Sequence, residues 1–164
     1  MTTQFTQQVS EILAFGKEEA MRLSTPFVGP EHLLLGILRQ NGRDVADVFR
    51  KLNVDPVKVK KEIEDALVDD VNPIDTNEKM DLSLSANNIL KLAVLEARLQ
   101  HDSTADVKHV LLGILHDKSL NKARKVLEKN HIDYEVVKDV LLGDIKPTQN
   151  SEINDDDFED EDME

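Results

Sequence analysis

Cysteine and tryptophan are absent from the 164 residues, and tyrosine occurs once. Without cysteine there are no disulfide scaffolds, thiolate zinc sites or sulfur nucleophiles, which suits a reducing cytoplasm. With five Phe and one Tyr as the only aromatics, any core must be built mainly of Leu, Ile, Val and Ala, and in a chain with 32% charged residues this points to helices. No run approaches the roughly 18 apolar residues of a membrane span. The opening Met1-Thr2-Thr3-Gln4-Phe5-Thr6 has neither the basic start nor the apolar stretch of a signal peptide. Basic charge is also scarce. Twenty Lys and Arg face 33 Asp and Glu, a net −13, which is the wrong sign for covering phosphates, so neither nucleic acid nor a membrane is an expected partner. The six glycines build neither G-x-x-x-x-G-K-S/T nor G-x-G-x-x-G, the backbone cradles of nucleotide phosphates. The chain as given is therefore expected to be a soluble, cytoplasmic non-enzyme without a cofactor.

The acidic excess is concentrated at one end. Nine acids and no base fall within Glu152–Glu164, and without them the net charge is −4. Such a run repels itself and has little apolar surface to bury, so residues 146–164 read as a disordered tail or linker outside the folded domain of 1–145.

What the sequence does contain is a repeat. At a shift of 77, Glu31-His32-Leu33-Leu34-Leu35-Gly36-Ile37-Leu38 lies over Lys108-His109-Val110-Leu111-Leu112-Gly113-Ile114-Leu115, six of eight positions being identical. The same shift carries Val9, Ile12, Leu13, Gly16 and Ala20 onto Ala86, Ile89, Leu90, Ala93 and Ala97, at the spacings of three and four that mark an amphipathic helix. Beyond the motif the shift becomes 78, and Val48-Phe49, Asp55, Ile63 and Leu67 overlay Val126-Leu127, Asp133, Leu141 and Ile145. Two copies of a four-helix unit explain this. Copy one spans about 3–69 and copy two about 83–145. Residues 70–82 form a turn-rich connection, containing Asn72-Pro73 and Asp75, without hydrophobic periodicity.

The punctuation predicts helices near 6–23, 30–40, 44–52, 56–69, 83–100, 107–117, 121–130 and 134–142, and no strand. Gly29-Pro30 reads as N-cap and first helical residue, Asp106 as the equivalent cap, and Asp55-Pro56 and Asp133 open the last helix of each copy. Units of about 70 residues are small for independent cores, so the copies are expected to pack as one globule with pseudo-twofold symmetry.

Few residues suggest chemistry. The five His form no ligand set; His109 and His116 could share a helix face, but two nitrogens make a poor zinc site, so no metal is expected. His32 and His109 recur in the first turn of the shared helix and read as structural groups. Glu18-Glu19 and Glu62-Glu64 read as solvated ion-pair partners on polar helix faces. Glu31, in a first helical turn, favours the macrodipole by itself.

Phe5-Thr6, Glu18-Glu19-Ala20 and above all Val28-Gly29-Pro30-Glu31-His32-Leu33-Leu34-Leu35-Gly36-Ile37-Leu38 resemble the Clp repeat, the double four-helix N-terminal domain of the Hsp100 Clp ATPases, in its ClpC type. The resemblance covers about residues 3–145. It implies a bacterial, all-α module that docks client and adaptor proteins on AAA+ unfoldase rings feeding a protease. The alternative is a stand-alone regulator that binds a Clp machine or its adaptor. As an isolated domain, it is expected to be monomeric. The resemblance further implies pockets for phosphoarginine, a degradation mark, in which Glu31 would hold the guanidinium and Thr6 the phosphate. In copy two the corresponding residues are Ser83 and Lys108. An ammonium at 108 repels a guanidinium, so the second pocket is expected to be lost or altered, leaving at most one.

Overall fold

Most of the helices begin where a side chain can take up backbone donors that the first turn leaves over. The computed structural model describes residues 4–68, 81–119 and 121–142. They form α1 (Gln7–Arg22), α2 (Pro30–Gln40), α3 (Arg43–Lys51), α4 (Pro56–Ala66), α5 (Leu84–Leu99), α6 (Val107–His116), α7 (Lys122–Lys129) and α8 (Tyr134–Leu142). The expected helices are all present, with ends shifted by up to three residues. Thr6 and Ser83 cap α1 and α5 by accepting the N–H of Val9 (3.4 Å) and Ala86 (3.1 Å). Asp55 and Asp133 do the same for Val57 (2.9 Å) and Val136 (3.0 Å). The acidic tail of 146–164 and nearly all of the 70–82 connection lie outside the described residues.

The apolar stripes read from the sequence face one another. Val9, Ile12 and Ala20 on α1 are buried, as are their counterparts Ala86, Ile89 and Ala97 on α5, and all join one continuous aliphatic core. Within each copy the first two helices approach closely enough to require glycine. A Cβ on Gly36 would stand 2.5 Å from the Ile12 carbonyl oxygen, and one on Gly113 would stand 2.8 Å from that of Ile89.

The copies do not merely abut. Helix α3 lies on α6 and α8, and α4 on α2 and α7, so the later helices of copy one pack against copy two. Lys58 Nζ donates to Asn130 Oδ1 (2.9 Å), Asn130 Nδ2 donates to Glu62 Oε1 (2.7 Å), and Lys122 Nζ donates to the Ala66 carbonyl (2.9 Å). Two isolated parallel bridges, Phe5 with Ala105 and Val28 with Leu82, are the only extended pairing among the described residues. The shift of 77 maps one bridge onto the other, which is the pseudo-twofold expressed in backbone hydrogen bonds. No helix among the described residues is long and apolar enough to cross a membrane.

Candidate functional site

The two bridges bring helix N-termini of opposite copies together in two corners. In one, Thr6 N donates to the Ala105 carbonyl (3.0 Å) and Thr6 Oγ1 donates to Asp106 Oδ1 (2.8 Å), so the cap of α1 meets the cap of α6. Lys108 lies beside this corner, lining a cavity of about 210 Å³ with Arg43 and Asp44 of α3. In the other corner Ser83 N donates to the Val28 carbonyl (2.8 Å), and Ser83 Oγ lies 3.9 Å from where a Cβ on Gly29 would sit. Here Glu31 reaches toward α7, and its Oε2 accepts the Lys122 backbone N–H at 2.9 Å.

The residue pairings expected from the sequence are therefore exchanged. Thr6 is joined to Asp106 and not to Glu31, while Ser83 stands with Gly29 and Glu31 and not with Lys108. Alignment of the copies identifies equivalent positions, whereas contact is made across the pseudo-twofold, so each hydroxyl meets the shared helix of the other copy. The Ser83 corner retains a hydroxyl, a carboxylate and a helix N-terminus. The Thr6 corner has an ammonium where its counterpart has a carboxylate, and its hydroxyl is committed to Asp106.

His32 and His109 complete the caps. Their Nδ1 atoms accept the backbone N–H of Gly29 (2.9 Å) and Asp106 (2.8 Å), the reach-back that Glu or Gln makes in a capping box. Both rings are buried, and His109 Nε2 faces Gln100 Oε1 (3.1 Å) and Asp102 Oδ2 (3.2 Å). Burial, aided by the Lys108 ammonium, holds the His109 pKa below the ordinary histidine value despite the carboxylates of Asp102 and Asp106. The unfolded chain thus takes up this proton first as pH falls. The His109 contribution to stability should be level above about pH 6.5 and decline below it until the folded-state pKa is reached, by at most about 1.4 kcal/mol per pH unit. His109→Gln keeps an acceptor for Asp106 N–H, and denaturation at several pH values should show this part of the slope removed. An unchanged slope would show that His109 does not contribute to it.

Among the described residues no group of three or more His, Asp or Glu could hold a metal ion. Residues 4–130 match the Clp repeat N-terminal domain. The chain belongs to the Clp repeat family. It is 31% identical over 146 residues to a probable ATP-dependent Clp protease ATP-binding subunit of Chlamydia pneumoniae, a match covering 89% of this chain and 17% of that one. With the negative regulator of genetic competence ClpC/MecB of Bacillus subtilis it shares 28% over 138 residues, 76% of this chain and 17% of the relative. The chain thus spans about a sixth of the length of these curated relatives, and the matching portion is their Clp repeat domain and not the ATPase module. The N-terminal domain of Hsp104 from Candida albicans has the same fold, with a TM-score of 0.69 at 17% identity over 85% of this chain and 89% of that one.

In this Clp repeat domain the carboxylates depart from the sequence reading at one place. Glu19, expected on a solvated face, is buried, held by Arg22 Nη2 at 2.6 Å and approached by Arg39 Nη1 at 3.4 Å. Helix α2 supplies Arg39 across the α1–α2 contact, which encloses a position that looks polar in α1 alone. Its counterpart Glu96 is buried too, bonded to Tyr134 Oη (2.7 Å) and facing His116 Nδ1 (3.3 Å). The signal was present in the repeat, since the shift of 77 superposes Glu19 on Glu96. His109 and His116 serve different places and do not form a joint site.

Proposed function

We propose that this Clp repeat domain is a docking module that presents client or adaptor proteins to an AAA+ unfoldase in the cytoplasm and catalyses nothing itself. The family match over residues 4–130, in relatives named as ATP-binding subunits of a Clp protease, carries this reading. The corner of Ser83 and Glu31 is its ligand site, and phosphoarginine is the ligand. The Glu31 carboxylate pairs with the guanidinium, while the phosphoryl group lies at the N-terminus of α5 beside Ser83. Glu31 Oε2 is engaged by Lys122 N–H, which fixes the side chain and leaves Oε1 for the ligand. The Thr6 corner contributes no equal site, because Lys108 opposes the guanidinium.

Calorimetric titration of phosphoarginine, with arginine as the blank, should show one equivalent bound. Glu31→Gln keeps an acceptor for Lys122 N–H but removes the charge, and should weaken binding by roughly tenfold or more. Lys108→Ala should leave affinity unchanged. Two equal sites, or full affinity in Glu31→Gln, would overturn the assignment.

A further inference from the structure

The duplication lets one place in the fold be seen filled and open. In copy two Tyr134, the first residue of α8, donates from Oη to the buried Glu96 Oε2 at 2.7 Å. Its ring lies against the His116 imidazole, with centroids 4.8 Å apart, and Lys138 Nζ stands 5.8 Å from the ring centre. Burial, together with Glu96, pushes the phenol pKa above the ordinary tyrosine value, so the group is held as a donor. An acid, two nitrogen bases and the shared helix α6 thus surround a phenol.

In copy one the same positions carry Glu19, Arg39 and Lys60, but the residue corresponding to Tyr134 is Pro56. Proline is short, and the space is open. A cavity of about 170 Å³ lies there, lined by Leu35 and Leu38 together with Glu19, Arg39, Pro56 and Lys60. A cavity of roughly 150 Å³ suffices for a benzene ring. The polar groups are already placed. The Glu19 side chain is 9% exposed, and Arg39 is held by Glu18 Oε1 at 2.7 Å and lies over the Phe15 ring at 4.5 Å. Arg22 binds Glu19 Oε1, whereas Oε2 has only the 3.4 Å approach of Arg39 and retains room for a hydroxyl donor.

We infer that this cavity binds the phenol ring of a tyrosine presented by a partner polypeptide, with its hydroxyl donating to Glu19 and its ring between Arg39 and Lys60. The cations face the ring as His116 and Lys138 face Tyr134. Tyr134, the one tyrosine among these 164 residues, is already placed, so the ring is supplied from outside this domain. This site is separate from the Ser83–Glu31 corner, and rests on the docking reading only for the source of the ring.

The test is a titration of the ¹⁵N-labelled protein with N-acetyl-tyrosinamide into the millimolar range, with N-acetyl-phenylalaninamide in parallel. Saturable shifts are expected around Glu19, Arg39 and Lys60, with nuclear Overhauser contacts from the phenol protons to the Leu35 and Leu38 methyls. The phenylalanine amide should bind roughly tenfold or more weakly, since it lacks the hydroxyl that donates to Glu19. Pro56→Tyr places in α4 the residue that α8 already carries at that position. It should fill the cavity from within and abolish binding at unchanged helix content. Shifts that do not saturate or centre elsewhere, equal binding of both amides, or full binding in a folded Pro56→Tyr would each overturn the inference. None of these results bears on the phosphoarginine titration, so the two readings fail separately.

Discussion

Gly36→Ala should destabilise the domain by about 2–3 kcal/mol, although alanine is the better helix former by about 1 kcal/mol. The added methyl would meet the Ile12 carbonyl oxygen at 2.5 Å, and that oxygen belongs to the backbone of α1, which cannot swing aside as a side chain can. The two helices must separate and loosen the buried contacts along α2. For a chain of this size the midpoint temperature should fall by roughly 5–10 °C. Gly16→Ala provides the contrast. Its methyl would stand 3.3 Å from the His32 carbonyl oxygen, and copy two already has Ala93 at the equivalent position. That variant should be neutral or slightly stabilising. Equal losses in both would show that glycine at position 36 is not needed for close approach.

Phe49→Ala should cost more, about 3–5 kcal/mol, the usual range for emptying a buried aromatic site. Phe49 is 2% exposed on α3, which packs against α6 and α8 of the other copy. The loss should therefore be felt in both halves. The sole tyrosine makes this measurable, because Tyr134 lies in copy two and its fluorescence reports that half, while circular dichroism reports every helix. Urea transitions followed both ways should coincide in the wild type and shift together in Phe49→Ala. A tyrosine transition that stays in place while the dichroism moves would mean that the copies unfold independently.

The helices were legible because their signals are local. Gly29-Pro30, Asp55-Pro56 and Asp106 announce helix starts, and the spacing of Val9, Ile12 and Ala20 marks a buried face that the core confirms. The repeat also gave the equivalence of Thr6 with Ser83 and of Glu31 with Lys108. It did not reveal which of these meet, because contact across the pseudo-twofold is a property of the assembled fold and not of either copy. Glu19 was misread for a related reason. Its enclosure depends on Arg39 from α2, and a residue's own helix face says nothing about what the neighbouring helix brings over it. The role of His32 and His109 was legible only as structural. That Nδ1 substitutes for the usual glutamate of a capping box is a matter of ring orientation, which spacing along the chain does not fix.

The crossed bridges have an evolutionary meaning. Phe5 meets Ala105 while Leu82, the counterpart of Phe5, meets Val28, the counterpart of Ala105. Contacts of the form i with j and j with i are those of an isologous dimer of identical subunits. A single four-helix ancestor pairing in this way would have been bound to keep its two corners alike, since every substitution would appear in both. Two copies within one chain are free of that constraint. Lysine can then stand at 108 opposite glutamate at 31, and a phenol can close one cleft while proline leaves its counterpart open.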